Sequence, residues 1–278
     1  MGMEKSRKLS NGAIPLIGLG TFDLKGNVCE RAVKEALDLG YSHFDTAASY
    51  ENETEIGKGI RNHCRENLFI TSKVWEENLS FSQVIHSCES SLNKLYTDYL
   101  DLYLLHWPNE NADYSSILDA FSELMHKQKV KSVGVSNFTI KHLEHILMSD
   151  SLKDIGISVN QVEFHPGLYQ KNLLDFCNKK DIAITAYSPL AVGKLEKNQN
   201  IKGLCEKYGK KPAQICIRWL LDKGIVSIPR SSSKEHMADN IDVFDFKLDS
   251  KDQEYIDSMG DNFRIFDPPF FKKWEDMK

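Results

Sequence analysis

Short apolar runs alternate with amphipathic segments along nearly the whole sequence, always in the same order. The runs occupy residues 14–19, 42–46, 68–73, 99–105, 130–135, 157–162, 182–187 and 225–228. Between them apolar residues recur at helical spacing. Val28, Ala32, Val33, Ala36 and Leu37 follow the first run, and Phe81, Val84, Ile85, Cys88, Leu92 and Leu95 follow the third. A strand that is apolar along its length must be covered on both faces, so this alternation implies a parallel sheet flanked by helices. Successive strand ends fall 28, 33, 31 and 26 residues apart through the middle of the chain, the spacing of repeated βα units.

Eight such units in 278 residues predict a (β/α)8 TIM barrel. Asn11-Gly12 is a hairpin-turn signal, so residues 7–10 and 13–16 are expected to form a short N-terminal β-hairpin. Gly40 should end the first helix, Ser80 cap another, and Pro212 sit in a first turn. The last helices are placed at about 234–242 and 249–260, before a short C-terminal tail. No linker-like or low-complexity tract divides the chain, so residues 1–278 read as one domain. A doubly wound dinucleotide fold is the competitor. Its G-x-G-x-x-G turn is absent, and Gly18-Leu19-Gly20-Thr21 supplies only the first two glycines.

The net charge of −5 lacks the basic excess that phosphate-backbone binding requires, so nucleic acid is not an expected partner. No run approaches the ~20 apolar residues of a membrane span. The first residues carry no apolar signal-peptide core, and Gly2 with Ser6 matches the myristoylation pattern only as a short, commonplace string. Cys29, Cys64, Cys88, Cys177, Cys205 and Cys216 form no C-x-x-C pair and read as reduced core residues. A cytoplasmic, monomeric protein is expected, in which the N-x-[ST] triplets at Asn52, Asn78 and Asn137 carry no meaning.

In such barrels the active site forms at the carboxyl ends of the strands. The residues found there are Asp45, Lys73, His106, Ser136 and Asn137, Gln161 and Glu163, Tyr187 and Ser188, then Arg230 and Ser231, with Tyr50 just beyond the second strand. Each has an ordinary structural reading alone: Asp45 as a cap, Lys73 as a solvated charge, His106 as a core histidine, Tyr50 as packing. His142 and His145 read as a helix surface rather than metal ligands. Jointly they describe a pocket. A Lys73–Asp45 pair keeps both partners ionised, and a neighbouring Tyr50 would have its phenol pulled down by the lysine. Such a tyrosine can protonate a carbonyl oxygen that His106 polarises. Hydride from a nicotinamide would complete the reaction. Arg230 with three successive serines at a helix start offers a phosphate site.

The string from Gly40 through Asp45 and Tyr50 to Glu53 resembles the signature of the aldo-keto reductases. So do Thr71-Ser72-Lys73-Val74-Trp75, Leu104-Leu105-His106-Trp107-Pro108, Gly134-Val135-Ser136-Asn137-Phe138, the run Asn160 to Pro166, Tyr187-Ser188-Pro189-Leu190 and Ile228-Pro229-Arg230-Ser231. The short chain, with its ending from Asp261 to Trp274, is similar to the small prokaryotic-type members that reduce 2,5-diketo-D-gluconate and methylglyoxal. The resemblance implies Asp45, Tyr50, Lys73 and His106 as the catalytic set, with Tyr50 as acid. It implies Ser136, Asn137 and Gln161 on the nicotinamide carboxamide, Tyr187 on its ring, Thr21 and Asp45 beside it, and Ser188 and Leu190 along the pyrophosphate. Arg230, Ser231, Ser232, Ser233 and His236 would surround a 2′-phosphate, and Asn240 would face the adenine. Phe22, Trp75 and Trp107 would wall the pocket around Tyr50 and His106.

Two positions depart from the family pattern: His236 stands where many members carry Arg, and Arg230 where many carry Lys. NADPH is therefore the expected cofactor, with NADH accepted, and the substrate a small aldehyde or ketone. The short tail argues against steroid-sized substrates. Two other functions compete: a barrel lyase forming a Schiff base through Lys73, and a nicotinamide-binding regulatory subunit without turnover.

Overall fold

The computed structural model describes residues 5–77, 79–152, 155–195, 198–260 and 263–268. Gly2, Asn78 and Trp274 lie outside these residues. Ser6–Lys8 (β1) and Ala13–Pro15 (β2) form the expected antiparallel hairpin; its first strand begins one residue earlier than the turn signal suggests, and both strands end sooner. The apolar run 14–19 is thus divided between two structures. Its first half pairs in the hairpin, and Leu19–Gly20 (β3) is the part that pairs with the next barrel strand.

The other barrel strands are His43–Asp45 (β4), Phe69–Val74 (β5), Leu100–Leu105 (β6), Val130–Ser136 (β7), Val159–Glu163 (β8), Ala183–Tyr187 (β9) and Val226–Ser227 (β10). All pair in parallel and in chain order from β3 to β10. Bridges Ile17–Ser227 and Gly20–Arg230 close the ring. This is the (β/α)8 barrel. The glycines of the Gly18-x-Gly20 pair serve that closure, not a dinucleotide turn. A Cβ on Gly20 would lie 2.6 Å from the Ile228 carbonyl oxygen, and one on Gly18 would strike the His43 ring.

The helices form where the caps and stripes place them. Gly26–Asp38 (α1) ends before Gly40 at φ +91°. Glu53–Ile60 (α2) packs Gly57 against the carbonyls of Lys94 and Leu95, and Gly59 against Val33. Side chains there would hold the neighbouring helices apart. Phe81–Leu95 (α3) begins with a capping box from Ser80 and Gln83. Tyr114–His126 (α4) starts from an Asp113 cap, and Ile140–Leu147 (α5) has Thr139 as cap with His142 closing back on it. His145 instead meets the Tyr114 ring. Lys171–Lys179 (α6) is followed, after β9, by two helices, Gln199–Tyr208 (α7) and Pro212–Asp222 (α8), the latter with Pro212 in its first turn. Lys234–Ile241 (α9) and Ser250–Asp257 (α10) are the last helices among the described residues.

Cys29, Cys88, Cys177 and Cys216 are buried on helix faces, as the apolar stripes require. Cys64 departs from the core reading: it lies exposed after α2, and Cys205 is half-buried. Cys205 still packs against the core, beside buried Ile201 and Leu204. Among the described residues no helix is long and apolar enough to cross a membrane.

Candidate active site

The parallel sheet brings the carboxyl ends of its strands to one mouth, and the four reaction candidates meet there. Lys73, on β5, is fully buried. Its Nζ donates to Asp45 Oδ1 at 2.6 Å and to the Thr46 carbonyl at 2.8 Å, and lies 3.4 Å from the Tyr50 hydroxyl. An ammonium has three N–H groups, and three acceptors surround this one. Asp45 Oδ2 takes a further hydrogen bond from Gln161 Nε2 at 2.6 Å. The buried ion pair therefore has partners on both carboxylate oxygens, which is the condition for burying charge without a large penalty.

Tyr50 belongs to a single 3-10 turn, Ala48–Tyr50, which Glu51 ends at φ +52°. Its backbone carbonyl accepts from Lys25 Nζ at 2.6 Å. Its ring meets Phe22 edge-on at 5.1 Å and His106 at 5.5 Å. His106 lies between Tyr50 and Trp75, whose ring is 5.1 Å away. Trp107 is buried beside it.

The sequence reading expects Lys73 to pull the Tyr50 phenol below its usual value. The structure reverses that direction: burial, reinforced by the Asp45 carboxylate, pushes Tyr50 well above 10. The lysine's closest partner is Asp45, so the carboxylate largely cancels the cation before the phenol feels it. Tyr50 is consequently held protonated. Burial and the Lys73 charge drive His106 well below 6.5, so its imidazole is neutral. Ser49 Oγ lies 3.4 Å from Nδ1; with the hydroxyl donating there, the ring proton sits on Nε2.

On the cofactor side, Asn137 Nδ2 donates to the His106 carbonyl at 3.0 Å and reaches Ser136 Oγ at 3.1 Å. The Tyr187 hydroxyl donates to Asn137 Oδ1 at 2.9 Å, and Ser136 Oγ donates to the Gln161 carbonyl. The residues matched to the nicotinamide thus form one hydrogen-bonded cluster. Thr21 donates its hydroxyl to the Asp45 carbonyl at 2.8 Å. Ser188 and Leu190 follow Tyr187 at the strand end, with Ser188 at φ +48°. Arg230 extends half-exposed, 3.8 Å from Asp23. Ser233 caps α9 by accepting from the His236 backbone N–H, Ser231 braces Ser233, Ser232 and His236 are exposed, and Asn240 is buried on the same helix. A guanidinium, hydroxyls and a helix start fit a nucleotide phosphate, and the amide cluster fits a carboxamide.

Three further residues shape this site: Glu163, which sequence reasoning counts only among the strand-end groups, and Asn52 and Phe266, to which it assigns no role. Buried Asn52 accepts from Thr46 Oγ1 at 2.8 Å and donates to the Thr21 and Leu24 carbonyls at 2.8 and 3.0 Å. It ties the Phe22 loop to the Tyr50 loop. Glu163 and Phe266 meet across 103 positions of sequence, where Phe266 joins the aromatic wall. Glu163 leaves the same sheet face as Gln161, a signal readable from period-two spacing; nothing local marks Phe266. Among the described residues no cluster of three or more His, Cys, Asp or Glu could hold a metal. A separate cavity of about 240 Å³ lies at the opposite end of the barrel, lined by Asn11, Ser42, Asn67, Asp101 and Lys131, and contains none of these residues.

A buried Lys–Asp pair, a protonated phenol and a neutral imidazole at a barrel mouth define a site for carbonyl chemistry. Comparison with known proteins agrees. Residues 16–261 match the Aldo/keto reductase family. The glyoxal reductase of Bacillus subtilis (strain 168) is 42% identical over 267 residues, covering 95% of each chain. The methylglyoxal reductase DkgB of Escherichia coli O157:H7 is 37% identical over 260 residues, covering 92% of this chain and 97% of its own. The crystal structure of MGS-M4, an aldo-keto reductase from a Medee basin deep-sea metagenome library, superposes with a TM-score of 0.88 at 40% identity, covering 94% of this chain and 97% of that one. The chain belongs to the aldo/keto reductase family. It is an oxidoreductase that reduces carbonyl groups, in a family that generally uses a nicotinamide cofactor.

Proposed function

We propose that this protein reduces small aldehydes and ketones, of the glyoxal and methylglyoxal kind, to alcohols, with NADPH as preferred cofactor and Tyr50 as general acid. The observation that carries the reading is the placement of the Tyr50 hydroxyl beside the Lys73–Asp45 pair and within ring contact of neutral His106. The nicotinamide supplies hydride. His106 offers its N–H to the carbonyl oxygen and orients it; Tyr50 then gives its proton to that oxygen as negative charge develops. A raised phenol value suits this task, because an alkoxide is a stronger base than any phenolate and the acid must arrive protonated. Ser136, Asn137 and Gln161 would hold the carboxamide and Tyr187 the ring face. The site is built within one chain, which supports action as a monomer, and a cytoplasmic setting suits the reduced cysteines.

The Lys73 environment weighs against Schiff-base chemistry. All three N–H directions of its ammonium are engaged, and a neutral amine would leave an acceptor unmet. Borohydride trapping with methylglyoxal should add no mass at Lys73. Steady NADPH oxidation with methylglyoxal, followed at the nicotinamide absorbance, tests the proposal directly; binding without turnover across a panel of carbonyls would support a regulatory role instead.

The protonation states set the pH profile. Tyr50 stays protonated to well above 10 and His106 stays neutral from well below 6.5. With hydride transfer limiting, kcat for reduction should be flat between about pH 7 and 9 and fall only above about 10, as the acid is lost. A decline already under way between 7 and 9 would contradict Tyr50 as the acid.

Cofactor choice should depend on Arg230. A 2′-phosphate beside it gains charge-assisted hydrogen bonds worth about 1.5–3 kcal/mol before solvent screening. Arg230→Ala should weaken NADPH binding about tenfold and leave NADH unchanged. His236→Arg should strengthen NADPH binding. Fluorescence titration with both nucleotides measures each change, and an Arg230→Ala protein indifferent to the phosphate would overturn the placement.

A further inference from the structure

The C-terminal segment is held at the pocket mouth by one buried carboxylate. Glu163 ends β8 and is fully buried. Its Oε1 accepts the Ile265 backbone N–H at 2.6 Å and its Oε2 the Phe266 N–H at 2.8 Å. His165 Nε2 lies 3.0 Å from Oε1, and Gln170 Nε2 fixes the Glu163 carbonyl at 2.7 Å. Upstream, the Phe263 N–H donates to the Gly167 carbonyl, and the Phe263 ring lies on His165 at 5.2 Å. A Cβ at Gly167 would fall on that ring, so a larger residue there would displace Phe263.

Residues 263–268 form no regular element, so they lack a ladder of their own and these contacts fix their path. The path places the Phe266 ring 6.1 Å from Trp107, stacked at 29°, 6.1 Å edge-on from Phe22, and 6.5 Å from Tyr187. Phe22 in turn touches Tyr50. Phe266 therefore closes a wall that Phe22 and Trp107 leave open. Two adjacent backbone N–H groups on the two oxygens of one carboxylate form charge-assisted bonds that set backbone position rather than side-chain identity.

We propose that Glu163 is a positioning residue for carbonyl reduction: by gripping the backbone of Ile265 and Phe266 it sets Phe266 against Phe22 and Trp107 and restricts the pocket to small carbonyls. The selectivity part rests on the reductase reading above. Glu163→Gln keeps the volume but replaces one acceptor oxygen by an amide that faces an N–H. Phe266→Ala removes the wall and leaves the grip intact.

Three readouts decide the matter. Trypsin cleavage after Arg264 reports the hold on the Arg264–Ile265 bond without any turnover, and should be about tenfold faster in Glu163→Gln than in wild type. Both variants should raise KM for methylglyoxal about tenfold with a much smaller change in kcat. Both should also raise the ratio of kcat/KM for a bulky aryl ketone over methylglyoxal at least about fivefold. A folded Glu163→Gln protein with wild-type cleavage overturns the grip. Faster cleavage with an unchanged selectivity ratio overturns the specificity role, as does a ratio that moves in Phe266→Ala alone. Should wild type reduce no carbonyl, the proposed function fails, and the cleavage rate by itself still decides whether Glu163 holds the segment.

Discussion

Tyr50→Phe is expected to lower kcat for carbonyl reduction by at least ~10²–10⁴, the usual cost of losing a positioned general acid. NADPH affinity and thermal stability should stay close to wild type. The substitution deletes one hydroxyl and keeps the ring, so the edge contacts to Phe22 at 5.1 Å and His106 at 5.5 Å survive. The hydroxyl meets Lys73 Nζ at 3.4 Å, a long contact whose loss leaves the lysine with Asp45 and the Thr46 carbonyl. A pure loss of transition-state proton donation lowers kcat and kcat/KM together. Retention of more than about a tenth of wild-type kcat would remove Tyr50 from the role of acid.

Lys73→Met should abolish measurable reduction and also destabilise the fold. Removing one partner of a buried pair typically costs about 3–5 kcal/mol, because the other charge stays in place uncompensated. Here that charge is Asp45, which is almost wholly buried and, among the described residues, keeps Gln161 Nε2 as its side-chain donor. Met fills the lysine's volume, so the loss is electrostatic rather than a cavity. Asp45→Asn should be milder though still serious: the asparagine oxygen can face Lys73, and the Gln161 amide can turn to accept from the new NH2 group. Melting temperature and single-turnover rate, measured on all three proteins, separate the two effects. A Lys73→Met enzyme that folds and keeps more than about a tenth of its rate would show that the cation does not serve the reaction.

Much of the fold was legible because its cues are local. An apolar run reports a strand buried on both faces, and Ser80, Thr139 and Pro212 announce helix starts within one turn. The run at 14–19 misled on one point. Its composition is uniform, but Ala13–Pro15 finds an antiparallel partner in the hairpin, and only Leu19–Gly20 reaches β4. The same locality explains how far the site could be read. The strand ends of a parallel barrel gather around one mouth, so Asp45, Lys73, His106 and Gln161 could be grouped from the sequence. The direction of the Tyr50 phenol could not. It depends on how burial competes with Lys73, and on the lysine's preference for Asp45 at 2.6 Å over Tyr50 at 3.4 Å.

The sequence by itself determined the alternation of strand and helix, the helix caps, and the set of polar groups gathered at the barrel mouth. Each follows from side-chain periodicity or from a residue acting on its own backbone neighbours. The tertiary structure alone decided the closure of β3 on β10, where Gly20 approaches the Ile228 carbonyl, and the tie that Asn52 makes between the Phe22 and Tyr50 loops. It also decided that the Glu163 carboxylate would meet the amides of Ile265 and Phe266. These contacts join residues with no shared periodicity, and backbone amides look alike from every position in the sequence. Which of them a buried carboxylate meets is settled only when the barrel has folded and the chain has returned across its mouth.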